Sequence, residues 1–155
     1  MFKPTNLRQA LTNAVSELRD NPQKLRLSLE NGQISSTLST SLSFENCYTL
    51  TLAITAFSGE IEAILVPIQA WLREYQADIM TSDRGRTGGF TYHAEINGDS
   101  SIDVNISLML TERTLVKDIG SALHYEYAPE PAPADPVTRP MELYVHGELI
   151  SRWEE

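Results

Sequence analysis

Leu7, Ala10, Leu11, Ala14, Val15 and Leu18 recur at i, i+3, i+4, i+7, i+8 and i+11. That spacing predicts a helix over Thr5–Asn21 whose apolar face must pack on something. Thr5 or Asn6 can cap its start, and Asn21-Pro22 ends it. Leu25, Leu27 and Leu29 then alternate with Lys24, Arg26 and Ser28, which predicts a half-buried strand. Asn31-Gly32 follows as a hairpin signal. The return segment is unusual, because seven of the nine residues from Ser35 to Ser43 are Ser or Thr. It reads as a polar strand or loop, or as a surface buried only by a partner. Tyr48, Leu50, Leu52 and Ile54 alternate again, and Thr49, Thr51 and Thr55 suit a strand.

Ser58-Gly59-Glu60 opens a second helix, expected over Ser58–Tyr75 with Ile61, Ile64, Leu65, Ile68, Trp71, Leu72 and Tyr75 as its stripe. Pro67 lies inside it and should kink it. Residues 78–89 are rich in Gly and charge and read as a loop. Phe90, Tyr92, Ala94 and Ile96 alternate, Asn97-Gly98-Asp99 turns the chain, and Ile102, Val104, Ile106, Leu108 and Leu110 alternate back. This is the clearest hairpin in the sequence.

The end of the chain differs. Five of the eight prolines fall between Pro129 and Pro140, a stiff extended spacer. Beyond it, Leu143 and Val145, a His146-Gly147 turn, and Leu149, Ile150 and Trp153 predict a short hairpin from Met141 onward. Such a hairpin is marginal alone in water and needs a surface, its own sheet or a neighbour's. The expected organisation is an α+β domain over 1–128, a linker over 129–140 and a hairpin arm over 141–155. The domain should pack two helices on one face of a mainly antiparallel sheet of four or five strands.

Composition and charge narrow the function. With 155 residues, one domain with a sizeable core is expected. Lys+Arg number 12 against 21 Asp+Glu, a net charge of −9. That balance argues against gripping nucleic acid by its phosphates and against docking on an anionic membrane. The longest strongly apolar run, Ala63 to Val66, is far short of a membrane span, and the polar N-terminus has no leader pattern. The lone Cys47 cannot form an intrachain disulfide and suits a cytosolic setting.

Candidate chemistry is sparse. His93, His124 and His146 are widely spaced, without partners at zinc spacing, so no metal site is expected. Cys47 sits in an expected strand and reads as an inert thiol. Arg84-Gly85-Arg86-Thr87-Gly88-Gly89 lacks the Lys of a phosphate loop and leads into a strand, which makes it a surface loop. Its Arg84 and Arg86 are candidates for contact with an acidic partner. No acid/base dyad, nucleophile context or cofactor motif is found, so no enzyme and no cofactor are expected. A small-molecule enzyme or binding module would need a convergent polar pocket, for which the sequence shows no candidate.

Six stretches carry a resemblance: NLRQALTNAV at Asn6–Val15, NGQISSTL at Asn31–Leu38, VPIQAWLR at Val66–Arg73, NGDSS at Asn97–Ser101, SLMLTERTLV at Ser107–Val116 and PVTRPMELY at Pro136–Tyr144. In this ordered set, running from the first helix to the last hairpin, the chain resembles the tail completion protein R (GpR) family of peduovirus-type contractile-tailed phages. Residues 83–87 and 117–135 match least well. The resemblance implies a structural virion protein, similar in role to tail terminators, which cap the tail tube with a ring and give the neck a docking face. It implies a homo-oligomer, a hexameric ring. The implied partners are the tail tube protein, the sheath protein, and a neck or head-completion protein, with DNA only as transiting cargo and no membrane. The implied place is the head-proximal end of the virion tail, assembled in the host cytoplasm. A head-side neck connector and a tail-assembly chaperone are the alternative roles. A ring needs a heterologous interface, and the arm could supply it by adding strands to a neighbour's sheet edge. The expected contact residues are Arg84, Arg86, Met141, Leu143, Tyr144, Val145, Leu149, Ile150 and Trp153, with Tyr144 and Trp153 as aromatic anchors. The acidic balance would suit a lumen that repels DNA phosphates.

Overall fold

The computed structural model describes residues 1–131 and 142–153. Met141 and most of the expected linker lie outside the described residues. In chain order the elements are α1 (Phe2–Ala14), α2 (Ser16–Asp20), a 3-10 turn (Pro22–Lys24), β1 (Leu25–Ser35), β2 (Phe44–Phe57), α3 (Glu62–Tyr75), α4 (Asp78–Thr81), α5 (Asp83–Gly88), β3 (Phe90–Ile96), β4 (Ile102–Ile119), β5 (Ala122–Tyr127), β6 (Glu142–Val145) and β7 (Glu148–Arg152). The α+β expectation holds: α1 and α3 contact each other and cover one face of an antiparallel sheet.

The sheet order is β1-β2-β4-β3, and β5 joins β4 beyond the end of β3. Strand β4 is 18 residues long, and β2 pairs with it from Ile102 to Thr114. On the opposite edge β3 takes Ile102 to Leu108 and β5 takes Thr114 to Ile119. Period-two alternation puts Leu50, Leu52, Ile54, Val104, Ile106, Leu108 and Leu110 on the helix side. They meet Leu7, Leu11 and Leu18 of the first two helices and Ile64, Ile68, Trp71 and Leu72 of α3 in one buried core. Strands β6 and β7 form a separate two-stranded sheet that contacts α1 and α3.

Several local expectations are corrected. The first helix starts at Phe2, not near Thr5, and breaks at Val15, whose backbone is extended at φ −114 and ψ 104. Val15 is still buried, so the break keeps the apolar stripe on the core while redirecting the axis. Asn31-Gly32 does not turn the chain. It forms a bulge inside β1, where the register shifts between Glu30 and Gln33 and Asn31 takes φ +54, a conformation Asn tolerates. The reversal falls instead in the Ser-rich residues 36–43. There Ser43 Oγ accepts the Val116 N–H at 2.9 Å and Ser41 Oγ donates to the Val116 carbonyl at 3.3 Å. The hydroxyls thus continue the ladder where β2 stops.

Residues 78–89 are helical rather than a loop. Ser82 caps α5 by accepting the Gly85 N–H, and Gly85 lies against Ile79 so closely that a Cβ would meet its backbone at 2.6 Å. The second long helix begins at Glu62, and the helix runs through Pro67 to Tyr75. The two expected tight turns are found: Asn97–Ser101 joins β3 to β4, and His146-Gly147, with φ of +51 and +83, joins β6 to β7.

Glu17 ties the β2–α3 connection to α2. It accepts from Lys24 Nζ at 2.6 Å and from Ser58 Oγ at 2.6 Å. Burial would raise its pKa, but the Lys24 ammonium and the Ser58 donors outweigh that and hold it below 4.5. A depressed carboxylate stabilises the fold above its unfolded value, and that contribution disappears as pH falls through the folded value. Glu17→Gln is therefore expected to cost about 1 kcal/mol at pH 7. Urea titrations of variant and parent should converge at acidic pH, below the ordinary carboxylate range.

Candidate interaction surfaces

Among the described residues the edge of β4 between β3 and β5 has no strand partner, and three different groups fill it. Met109 N–H donates to the Gly89 carbonyl at 2.9 Å, Thr111 N–H to Gln76 Oε1 at 3.0 Å, and Ala128 N–H to the Arg113 carbonyl at 2.8 Å. Gln76 also donates to Asp78 Oδ1 at 2.6 Å and Thr111 Oγ1 at 3.1 Å. Its Oε1 accepts Lys3 Nζ at 2.8 Å, and the same ammonium meets Glu130 Oε1 at 2.8 Å. Lys3 is 1% exposed. A cation in the first turn of a helix opposes the helix dipole, so it requires compensation. Glu130 supplies it at the side chain, and Glu112 accepts the Lys3 backbone N–H at 2.5 Å, placing an anion at the α1 N-terminus. Lys3 therefore joins the N-terminus, the α3 exit, the open stretch of β4 and the foot of the Pro-rich segment.

Tyr48 lies beside this network, its hydroxyl buried close to the Glu112 carboxylate but outside full hydrogen-bond geometry with any described residue. Burial and the Glu112 charge push its pKa well up, so it remains a neutral phenol. An unsatisfied buried hydroxyl costs free energy. Tyr48→Phe is expected to be neutral or to raise stability by about 1 kcal/mol, read from the urea midpoint.

Beyond α1 the helix side of the sheet continues with no helix of the described residues over it. Ile34, Phe44, Val116, Leu123, Tyr125 and Tyr127 share that side by register. Phe2 links them to the core: its ring is 6.3 Å from Tyr127 and 6.0 Å from Tyr75, which stacks on Trp71 at 5.0 Å. Tyr125 is 70% exposed. The result is an aromatic shelf rooted in the core.

Of the expected contact residues in the arm, Leu143 and Trp153 pack against the chain's own core, and Val145 is half-buried. Ser151 is buried and its hydroxyl donates to the Ala14 carbonyl, which fastens β7 to the end of α1. Thus the hairpin sits on its own helices, a third layer, rather than on a sheet edge. Tyr144, Leu149 and Ile150 point away and are 42–55% exposed. Arg84 and Arg86 lie on a different element, α5, where Arg86 pairs with Asp83. Cys47 is half-buried, and burial together with Glu45 pushes its thiol pKa up, which makes it a poor nucleophile. His93 lies 3.5 Å from Glu95 on exposed β3, and among the described residues no His/Cys/Asp/Glu group is placed to hold a metal.

A groove of about 360 Å³ runs between α1 and the edge strand β1, lined by Pro4, Thr5, Arg8, Leu27, Leu29 and Leu50. Arg8 bridges its end by donating to the Leu25 carbonyl at 3.3 Å. Only Thr5 and Arg8 are polar, too few groups to orient a substrate.

Sequence reasoning did not single out Lys3, Gln76, Glu112, Glu130 or the β5 aromatics. One signal was present: Lys3 precedes Leu7 by one helical turn and so extends the buried stripe. Leu123, Tyr125 and Tyr127 also alternate as a strand does.

The model of the P2 phage tail completion protein R (GpR) family matches residues 1–131. The chain is 57% identical to tail completion protein R of Escherichia phage P2 over 155 residues, all of both chains. No solved structure matches it. The chain therefore belongs to the P2 phage tail completion protein R family.

Proposed function

We propose that this chain is a structural virion protein that completes a phage tail by forming a terminator ring on the last ring of the tail tube. The full-length identity to tail completion protein R carries this reading. The exposed aromatic shelf and the exposed side of the hairpin support it, since an assembly protein needs unlike surfaces for unlike neighbours. In this reading residues 1–128 are the ring body, 129–140 a linker and 141–155 an arm. Arg84 and Arg86, with Leu143, Tyr144, Val145, Leu149, Ile150 and Trp153, belong to subunit or partner contacts, as does Met141. The neighbours are the tube protein below, the sheath protein outside, and a neck or head-completion protein above. The net charge of −9 suits a lumen through which DNA passes without sticking.

Electron microscopy of particles from a phage lacking this protein tests the role. A terminator defect gives overgrown tubes of irregular length. Tails of normal length that fail to join heads would assign a neck connector instead. Mass spectrometry of purified virions adds a second check: absence from the finished particle would identify a chaperone and overturn the structural reading.

A further inference from the structure

Among the described residues, nine of the sixteen large apolar side chains left exposed lie at the end of the molecule formed by the N-terminus and the tips of the β1–β2 and β4–β5 hairpins. Together they present on the order of 1,000 Å², taking 150–250 Å² for a large side chain fully exposed. The largest apolar patch on an ordinary monomer is roughly 300–600 Å². A stable interface takes about 800 Å² from each partner. This end as a whole is therefore of interface size; Phe2, Ile34, Leu123, Tyr125 and Tyr127 lie together on its helix side as the shelf, and Ile119 lies on the other side by register.

A second, smaller patch, Tyr144, Leu149 and Ile150, lies on the outer side of the C-terminal hairpin. The two patches are at opposite ends of α1: Phe2 begins the helix and belongs to the shelf, and Ala14 ends it and holds Ser151. A helix of 13 residues separates them by about 18 Å. They cannot meet within one chain.

We propose that copies of this chain associate head to tail, with the outer side of one copy's C-terminal hairpin seated on the aromatic shelf of the next. Shelf-on-shelf contact would be two-fold, would stop at a dimer and would leave the hairpin patch bare. The unlike contact covers both patches at every step and repeats until the rotation closes. The hairpin is held on its own α1 and α3, so it is presented as a rigid surface. No strand exchange is needed. The inference deepens the ring reading above by naming the two surfaces that meet.

The test uses two full-length single-cysteine variants on a Cys47→Ser background, Tyr125→Cys and Leu149→Cys, oxidised with copper phenanthroline. Mixed together they should form a disulfide-linked dimer, and each alone should not. A chain carrying both cysteines should give a ladder of multimers. In parallel, Tyr125→Ser is expected to weaken self-association at least about tenfold in sedimentation, as loss of an aromatic hot spot does, with unchanged circular dichroism. Cross-linking of Tyr125→Cys alone would overturn the proposal in favour of a two-fold contact. So would a chain that sediments as a monomer at every concentration reached and gives no mixed dimer. That last result together with normal tail completion would sink the contact and spare the tail role. Head-to-tail multimers from a phage whose tails form without the protein would do the reverse.

Discussion

Lys3→Ala is expected to lower the unfolding free energy by about 2–3 kcal/mol, the cost of taking a buried ammonium away from Gln76 and from a partly exposed Glu130. The size follows from what is left behind. Glu130 loses its ammonium partner, and Gln76 Oε1 loses its shortest donor while keeping those from Thr111. The Lys3 backbone bond to Glu112 survives the substitution, because it uses the main chain. The Glu112 contribution at the helix start should therefore persist. Glu130→Gln should cost less, about 1 kcal/mol, since Glu130 is 34% exposed and the amide oxygen can still accept from Lys3. A double-mutant cycle over Lys3 and Glu130 in urea should show non-additivity of about 1–3 kcal/mol. Additive effects would mean that the foot of the Pro-rich segment is not tied to the N-terminus. Amide exchange at Ala128 offers a second readout, because its N–H pairs with the Arg113 carbonyl next to the network. It should exchange faster in Lys3→Ala, while Leu50 and Ile106 in the core stay protected.

The reason Lys3 was missed in the sequence explains how much else was legible there. Elements specified by their own periodicity were readable: the stripe from Leu7 to Leu18, the alternation of Leu50 to Ile54, and the run from Ile102 to Leu110. In each, burying one face dictates the local structure. Features decided by distant partners were not readable. The start of α1 depends on Glu112, more than a hundred residues away, rather than on a capping side chain of its own. Asn31-Gly32 carries the local signature of a turn, yet β2 extends past it and pairs with residues 33–35, so the same pair becomes a bulge. Here the long partner strand overrides the local turn preference. The helical fold of residues 78–88 was hidden for a different reason. Their glycines read as loop formers, but Gly85 is required because Ile79 packs directly against its backbone. The interaction surface was partly legible. Tyr144, expected as an aromatic anchor, and Leu149 and Ile150, expected from the strand character of the return segment, are exposed. Leu143 and Trp153 were expected as contacts in the same hairpin but face the chain's own helices, a distinction that only the docking of the hairpin decides.

Ending the chain before Met141 is expected to leave a folded body and abolish tail completion. The body should survive because every fully buried apolar residue of the core, from Leu7 and Leu50 to Trp71 and Ile106, lies outside the hairpin. Loss of Leu143 and Trp153 uncovers part of α1 and α3, which should cost about 2–4 kcal/mol by area. The melting temperature of the truncated chain would fall, with a single cooperative transition retained. Loss of function after such a deletion has two possible causes, a weakened body or a missing contact surface, and point variants separate them. Leu149→Ser and Ile150→Ser change side chains that are 45% and 42% exposed, so each should shift stability by no more than about 0.5 kcal/mol. If the hairpin serves as a contact surface, the double variant should fail to complement a phage lacking the protein, although it folds like the parent. Leu143→Ala should behave oppositely: it removes packing on the chain's own helices, lowers the melting temperature, and still complements at low growth temperature. A truncated chain that completes tails would remove the hairpin from assembly altogether. A Leu149/Ile150 double variant that complements fully, beside a truncation that does not, would confine the hairpin to holding α1 and α3 in place.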